Sequence, residues 1–403
     1  MPVSTIKGVV SDTGGGSIAP AEQVIDMDDV IAYLDPEVSQ FTTMLMQVAK
    51  KEAYRHKVEW LEDELFPRSS TLAASGAAGD SALTLPAGEG LYFRKNDIVR
   101  SQTSGEAMLV TADGSSTSVP VARGIGGIAA ASAASGGGLV IIGNASPRGA
   151  GLGTRLVTKR VNQFNFTQIQ RNPYGFDNTL RSEKLYGGPE PDKERKKKLI
   201  EHKRAIEYTL FWGARALVDS TGSALGAAST ALGACGGIVE FVSTNKKNAN
   251  GVYAKTAFDA DMKDILQHGS TNKVIFASPR FALTLSQYAS TGMGINWGTT
   301  SLQGQDVIFG AKVDAWISGA YGFKIPVIVK RDWNDFPVTN NQYGSMAFVV
   351  DMDYVKMRPL RDTQLLRDRQ ANDSDTYDEE YLTEYSFELQ HERAHGWIYG
   401  VTG

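Results

Sequence analysis

The sequence predicts an α+β protein with a small all-β module inserted into it, and three features of the 403-residue chain indicate this. A β-leaning run at 161–173 leads, after a Gly/Pro break at 187–191, into one long charged helix. Short apolar runs separated by turn residues fill 83–143, as is typical of antiparallel β structure. After residue 237 helical and strand patterns alternate, which favours a mixed α/β region.

The N-terminal part combines an arm, a helix and a strand. Residues 1–23 are small, polar and rich in glycine, which is typical of an extended arm. Apolar residues at spacings of three and four predict helix within 27–54, and Asp35 followed by Pro36 suits an N-cap and a first helical residue. Apolar and charged residues alternate in 57–67, which predicts a strand.

The β module follows a small-residue linker at 69–81 and contains a low-complexity loop at 126–138. The even spacing of its apolar runs favours a small antiparallel barrel or sandwich. The predicted strands are 83–86, 91–93, 97–101, 107–112, 117–122 and 138–143.

The long helix is predicted at 192–217, and a second low-complexity loop follows at 222–237. One face of the helix is apolar, and lysine and arginine residues occupy the others. The apolar face contains Leu199, Ile206, Leu210, Gly213 and Leu217. Beyond the loop the predicted helices are 259–269 and 279–289, and the predicted strands are 273–277, 308–317, 325–329, 346–350, 381–389 and 397–401.

Composition argues against several classes of protein, including basic nucleic-acid-binding, disulfide-linked and membrane-spanning proteins. A net charge of −4 argues against wholesale binding of nucleic acid, which requires a basic surface. The single cysteine, Cys235, permits no intrachain disulfide. The N-terminus lacks the basic and apolar regions of a signal peptide, and no window of 18 apolar residues predicts a membrane span.

One motif matches a catalytic pattern. His391-Glu392-Arg393-Ala394-His395 has the H-E-x-x-H spacing, which on a helix places two imidazoles where they can bind zinc, with the glutamate as general base. A catalytic zinc needs a third protein ligand, and no His, Asp or Glu follows in 396–403. The preceding residues alternate like a strand, along which two side chains at this spacing lie ~13 Å apart. A polar turn after a strand is the favoured interpretation.

The other candidate ligands have no further ligand residues near them in the sequence, as a metal or redox site would require. His56, His202 and His268 are isolated in the sequence, and Cys235 has no CxxC partner. The acidic residues within 373–380 lack EF-hand spacing and favour a solvated loop. No cofactor and no metal are therefore expected. A basic cluster on the long helix could contact nucleic acid or an acidic neighbour, or could be a solvated face; it comprises Lys193, Arg195, Lys196, Lys197, Lys198, Lys203 and Arg204.

The order of several segments, spread from Val24 to the end of the chain, carries a resemblance. They are Val24–Asp29, Asp35–Glu37 with Phe41, Val58–Trp60, Asn165–Ile169, the helix with Glu201, Glu207 and Phe211–Gly213, and Glu384–Leu389 followed by Ala394 and His395. In this order the chain resembles the major capsid proteins of tailed bacteriophages, especially those with an N-F-T-Q-I segment ahead of the long helix.

The resemblance implies the Hong Kong 97-type capsid fold, which encapsulins and the herpesvirus capsid floor share. On this chain it predicts an N-terminal arm and first helix at 1–56, an extended loop at 57–160 with the β module inserted at about 83–143, a peripheral domain at 161–221 with a spine helix at 192–217, an axial α/β domain at 222–335, and returning strands of the peripheral domain at 336–403. Compact relatives lack such a module at this point.

The resemblance also implies a function without a catalytic step: self-assembly into an icosahedral shell around the double-stranded DNA of a tailed phage. The implied partners are further copies in hexamers and pentamers, scaffolding, portal and decoration proteins, and packaged DNA by weak non-specific contact. The implied location is the virion, after assembly in the host cytoplasm. The candidate interface residues are Trp60, Glu62, Glu64, Arg195, Lys197, Lys198 and Arg204.

Three alternatives remain open at this point. The first is an encapsulin-like compartment or another virion structural protein. The second is a zinc metallopeptidase that uses His391, Glu392 and His395. The third is a carbohydrate-binding β protein, with binding carried by the module at 83–143.

Overall fold

The computed structural model describes residues 40–48, 50–183, 190–219, 232–292, 314–319, 321–335 and 344–401. The chain divides into two compact units. The larger unit comprises Met1–Trp60 and Phe164–Gly403, and the smaller unit, here called the inserted unit, comprises Leu61–Gln163. The expected arm at 1–23 and the expected helix start at Asp35 and Pro36 lie outside the described residues.

The helices are mostly short, with one exception of 23 residues. They are α1 (Gln40–Val48), α2 (Asn178–Ser182), α3 (Glu190–Trp212), α4 (Ile238–Phe241), α5 (Lys255–Leu266) and α6 (Pro279–Gly292). The strands are β1 (Lys57–Glu62), β2 (Ser69–Thr71), β3 (Ala82–Thr84), β4 (Asp97–Ser101), β5 (Ala107–Val110), β6 (Ser118–Ile125), β7 (Gly138–Asn144), β8 (Val161–Phe166), β9 (Gln168–Asp177), β10 (Ala216–Val218), β11 (Leu232–Ala234), β12 (Lys246–Gly251), β13 (Lys273–Ala277), β14 (Ala315–Ile317), β15 (Lys324–Val329), β16 (Ala347–Asp351), β17 (Val355–Leu366), β18 (Thr376–Leu389) and β19 (Gly396–Val401).

The inserted unit is a six-stranded antiparallel sheet in the order β2-β7-β4-β5-β6-β3. The amide of Ala73, just after β2, donates to the Thr84 carbonyl of β3 at 3.0 Å, so the two edge strands approach each other as in a small barrel. Eleven buried apolar side chains, among them Phe93 and Val110, fill its own core. These residues therefore form a separate packed all-β unit, which is longer than the module expected at 83–143.

Two predictions within this unit are wrong. The linker expected at 69–81 contains β2, which pairs with β7 in the register Ser69↔Val140. The strand expected at 91–93 is instead the end of a 3-10 helix, Glu89–Tyr92. Gly90 explains this turn, because a Cβ there would lie 2.0 Å from the Ser115 carbonyl oxygen, a close approach that only glycine permits.

Because β2 and β7 are paired, the chain enters and leaves the sheet of the inserted unit through adjacent strands, and we expect this sheet to be removable. Replacing residues 69–144 by a short Gly/Ser bridge should leave a larger unit that unfolds cooperatively. Removing only 83–143 should be worse, because β2 then loses its partner strand. Thermal unfolding of both deletion proteins checks this. Loss of folding in the 69–144 deletion would show that the unit belongs to the main core.

The core of the larger unit is a six-stranded mixed sheet in the order β12-β19-β16-β13-β15-β14. Helices α5 and α6 pack on one side of it through Phe258, Met262 and Phe281. On the other side, α1 and α3 contribute Phe41 and Phe211 to a second cluster that includes Phe276 and Phe348 of the sheet. Every residue of β13 is buried, as expected for a central strand that is covered on both faces.

The C-terminal strands are divided between two sheets, which differs from the expected grouping of 336–403 as peripheral strands. β16 and β19 join the mixed sheet, next to β12 and β13. β17 and β18 form a separate antiparallel sheet with β9. The expected domain names stay a prediction, but the strand pairing crosses the expected boundary at residue 335.

The long helix α3 begins at Glu190 and ends at Trp212, five residues before the predicted end at 217. Gly213 terminates it: a Cβ there would lie 2.2 Å from the Cys235 carbonyl oxygen, so the chain must pass very close to a neighbouring segment. Leu217 consequently lies in β10, which pairs with β11, and not on the helix face. Ile206 and Leu210 are fully buried, as predicted.

Helix does not extend to residue 54 as the apolar spacing suggested. After α1 the backbone becomes extended and adds to the edge of β17, because the Lys51 and Ala53 amides donate to the Met357 and Pro359 carbonyls at 3.0 and 2.9 Å. The strand expected at 57–67 ends at Glu62 and pairs with β8. The strand expected at 308–317 is described only for Ala315–Ile317.

Candidate functional site

The candidate interface residues do not form one site, and the first of them is an internal packing residue. Trp60 is buried with Ala53 and Val58, and its ring lies 5.7 Å from that of Phe241. Glu62 ends β1 and is half-buried, whereas Glu64 is exposed beyond the strand. The roles of these three residues in assembly stay a prediction.

Several basic residues of α3 contact side chains of the same helix. Lys198 Nζ lies 2.7 Å from a Glu201 oxygen and 3.8 Å from Glu194, and Lys197 also lies 3.8 Å from Glu194. The Glu201 carboxylate raises the pKa of Lys198. Arg204 Nη2 donates to the Tyr208 hydroxyl at 3.3 Å. These contacts support a charged helix face on which Lys197 and Lys198 lie beside carboxylates of the same helix.

Arg195 is the candidate with the strongest contacts, and it fastens α3 to β18. Its Nε and Nη2 atoms donate to the two oxygens of Glu379, both at 2.7 Å. The Tyr174 and Tyr377 hydroxyls donate to the same carboxylate at 2.6 and 2.9 Å. Burial raises the pKa of Glu379, but the hydrogen bonds from Arg195, Tyr174 and Tyr377 outweigh it and lower this pKa to about 2. Arg195 therefore has a structural role within the subunit.

A ladder of ion pairs on the opposite face of β18 was missed by the sequence interpretation. Glu380, Glu384 and Glu388 are four residues apart, so they share one face of the strand. Each is buried and paired with an arginine from a flanking strand. The pairs are Arg171–Glu380 at 2.6 Å, Arg361–Glu384 at 2.7 Å, and Arg358–Glu388. The even spacing of the glutamates along a predicted strand is the sequence pattern that could have indicated this ladder of ion pairs.

The N-F-T-Q-I segment joins β8, β9 and the end of β18. Asn165 is fully buried, and its Nδ2 donates to the Gly236 and Phe387 carbonyls at 3.0 and 2.7 Å. Its Oδ1 accepts from the Gly236 amide at 2.9 Å. Thr167 Oγ1 donates to Glu384 at 3.0 Å. Asparagine is needed because a single side chain must both donate to and accept from backbone groups here.

A buried ion pair connects α1, α3 and the end of β15. Lys330 contacts Glu207, and both side chains are at most 2% exposed. The Glu207 carboxylate also accepts from the Thr42 amide at 3.1 Å. Burial raises the pKa of Glu207, and Lys330 opposes this. No sequence pattern indicates this pair, because its members are 123 residues apart.

The H-E-x-x-H segment is a turn, as the sequence interpretation favoured. Residues Glu392–Ala394 form one 3-10 turn that follows β18. His395 is fully buried: its Nδ1 accepts from the Asp351 amide, and its Nε2 lies against the Gln390 carbonyl, both at 3.2 Å. Glu392 accepts from the Ser243 and Thr244 amides at 2.8 and 3.0 Å. Both ring nitrogens of His395 and the carboxylate are thus engaged inside the protein.

Neither a metal site nor a redox site is assembled in the described ranges. Within them, no group of three His, Cys, Asp or Glu side chains could hold a metal ion. Burial raises the pKa of Cys235 to about 12, and its Sγ lies 3.5 Å from Asn165 Nδ2. The helices in these ranges are too short or too polar to cross a membrane.

The zinc metallopeptidase alternative requires that His391 and His395 support peptidase activity, and we expect that they do not. The double substitution His391→Ala and His395→Ala should leave any peptidase background unchanged, because His395 is enclosed and a third ligand is missing. Loss of the buried His395 should instead lower the melting temperature. Peptidase assays and zinc analysis of the purified protein check this. Stoichiometric zinc together with activity that disappears in the variant would restore the enzyme hypothesis.

The chain is similar to known proteins in both sequence and structure. The sequence model of the SU10 major capsid protein family matches residues 8–402. The capsid of an empty GTA particle computed with C5 symmetry is similar in structure, with a TM-score of 0.52, 10% identity, and coverage of 99% of this chain and 100% of that chain. Gordonia phage Cozz gives a TM-score of 0.49 at 10% identity, covering 98% of each chain. The holo-SrpI encapsulin complex of Synechococcus elongatus PCC 7942 gives 0.41 at 10% identity, covering 60% of this chain and 78% of that chain. No curated protein sequence matches the chain.

The α+β fold is similar to that of the GTA particle capsid protein, and the class of protein is a major capsid protein. The chain belongs to the SU10 major capsid protein family, whose match covers nearly its whole length. The resemblance to tailed-phage capsid proteins is therefore confirmed. The family is a structural one, and its location is the virion capsid.

Proposed function

We propose that this chain self-assembles, as hexamers and pentamers, into an icosahedral shell that encloses the double-stranded DNA of a tailed phage. The observation that carries the proposal is the family match over residues 8–402. Assembly would occur in the host cytoplasm, with scaffolding, portal and decoration proteins as further partners. DNA contact would be weak, because a chain with a net charge of −4 does not attract a polyanion strongly.

The distribution of exposed apolar side chains supports self-association. Of the 18 large apolar side chains that are exposed among the described residues, ten lie between residues 54 and 169. Leu65 and Leu152 are 94% and 90% exposed. Exposed apolar side chains can become buried against a neighbouring copy, which removes apolar area from water. The region 54–169, and not the ion-paired α3 face, is therefore the better candidate for contacts between copies.

Self-association predicts a large and concentration-dependent particle size. Light scattering of the purified protein should show species far larger than the 43.5 kDa chain, and their fraction should rise with protein concentration. Many weak contacts repeated by symmetry give this behaviour. A protein that stays monomeric at every salt and protein concentration would count against the proposal.

A further inference from the structure

The inserted unit carries a groove of about 640 Å³. It lies where the chain before β2 and the last residues of β7 line a common depression. Phe66 and Tyr92, whose rings meet edge to face at 6.5 Å, contribute its aromatic lining. Ile141 and Ile142 of β7 contribute the aliphatic lining, and Ile142 is 54% exposed. Such a surface fits aliphatic side chains of a bound segment.

Two arginines border the same groove. Asp97 is buried and accepts from Arg94 twice, from its backbone amide at 3.0 Å and from its Nε at 3.2 Å. Asn144 Nδ2 donates to the same carboxylate at 2.9 Å. Arg94 is thereby held in place while 42% of its side chain remains exposed, and Arg68 is exposed beside it. The groove thus offers a positioned guanidinium and a second cation to a carboxylate ligand.

The chain that leaves the groove is also basic. Residues 145–160 contain four exposed cations and no acidic residue. These are Arg148, Arg155, Lys159 and Arg160. An electropositive surface with an apolar lining is complementary to an extended peptide that alternates aliphatic residues and carboxylates.

This chain contains such a peptide. Residues 24–31 read V-I-D-M-D-D-V-I, with five apolar and three acidic residues. Between Lys7 and Lys50 there is neither lysine nor arginine, but there are seven acidic residues. The segment lies outside the described residues, and the chain between Ile31 and Gln40 could span about 30 Å when extended.

We propose that residues 24–31 of a second copy of this chain bind the groove of the inserted unit. The inference rests on the proposed self-assembly, since it names one contact that would join the copies. In a ring, each copy gives one acidic segment and receives another, so a single charge-complementary contact repeats around the assembly. Ile25, Met27 or Val30 would cover the apolar lining, and Asp26, Asp28 or Asp29 would meet Arg68 and Arg94.

Cross-linking in the full-length chain tests the proposal. Asp28→Cys combined with Arg68→Cys should give covalent dimers and a ladder of larger products on non-reducing gels after mild oxidation. Cys235 is buried and should not compete. The matched control combines Asp28→Cys with Arg100→Cys, since Arg100 is an exposed arginine of the inserted unit outside the groove. Equal cross-linking in the control, or a cross-link only within one chain, would overturn the proposal.

Peptide binding gives a second, independent reading. A fluorescein-labelled peptide of residues 21–34 should bind full-length protein whose own segment is neutralised by Asp26→Asn, Asp28→Asn and Asp29→Asn. Adding Arg68→Gln and Arg94→Gln should weaken binding by about tenfold or more, and Arg100→Gln should not. A peptide that carries the same three Asp→Asn changes should bind equally poorly. Indifference of binding to all of these changes would contradict the proposal.

The two tests separate this inference from the proposed function. Shells that form normally without groove cross-links would refute the inference and leave the capsid function standing. Selective peptide binding in a protein that never forms shells would support the groove contact and count against the capsid function.

Discussion

Replacing Lys330 by methionine is expected to destabilise the subunit by about 3–5 kcal/mol, because it leaves Glu207 buried without its cation. Asp332, whose carboxylate lies 3.9 Å from Lys330 Nζ, loses a partner as well. The pair joins α3 to the end of β15, and Glu207 also accepts from the Thr42 amide of α1, so its loss should loosen all three elements. Urea unfolding of the unassembled subunit, followed by tryptophan fluorescence, gives the free energy.

Two further variants, a rescue and a surface control, test whether the unpaired charge of Glu207 causes the loss of stability. Adding Glu207→Gln to Lys330→Met should recover more than half of the loss, because the amide oxygen still serves Thr42 while the unpaired charge is gone. The control is Lys50→Met, which breaks the exposed Lys50–Asp362 pair and should cost at most about 1 kcal/mol. If Lys330→Met costs no more than Lys50→Met, the buried pair does not hold these elements together.

Mild acid is expected to destabilise the subunit through two buried histidines. Burial lowers the pKa of His202 to about 4, where the ring bridges Asn172 and Thr383 at 2.7 Å each. Burial, with help from Lys273, lowers the pKa of His395 to about 4 as well. The unfolded chain takes up these protons near pH 6.5 and the folded chain only near pH 4. Stability is therefore complete above pH 6.5 and falls between pH 6.5 and 4, by about 3 kcal/mol for each group.

The histidine effect can be separated from that of the carboxylates. Glu379, whose pKa is lowered to about 2, contributes stability that is lost only as pH falls from about 4.5 towards 2. Urea unfolding between pH 7.5 and 5 therefore reports on the histidines without a contribution from Glu379. His202→Gln should flatten the slope in this window, whereas His268→Gln, at an exposed position, should not change it. An unchanged slope in His202→Gln would show that this imidazole does not resist protonation in the fold.

Elements with a strong local pattern could be predicted from the sequence. The predicted strand at 273–277 is found at those residues, because a run of apolar and β-branched residues sits between a turn and Pro279. The long helix was predicted from its charged, one-sided pattern, but its end was placed too late because Leu217 continues the helical spacing. The helix ends where Cys235 passes close to Gly213, and a sequence does not show which distant segment passes nearby.

Elements that depend on distant partners could not be predicted. β17 was missed because Pro359 and two irregularities in its register interrupt the alternation of apolar residues. The candidate interface residues on α3 were chosen for their charge, but Arg195 forms an ion pair with Glu379 of its own subunit. Whether a cation is free for a partner depends on tertiary pairing, which the sequence pattern of α3 does not contain. The pairing of β16 and β19 with the mixed sheet also depends on distant segments of the chain, so the sequence pattern does not predict it.

Negative-stain electron microscopy of the full-length protein, expressed alone and purified at rising concentration, tests directly whether this chain assembles into a capsid. We expect closed shells of uniform diameter, or rings of five and six copies that close into shells when protein is concentrated. The inserted unit makes a further check available, because the 69–144 deletion should give fewer or less stable shells of the same kind. Discrete monomers at every concentration, with correctly folded protein by circular dichroism, would contradict a capsid subunit that assembles by itself.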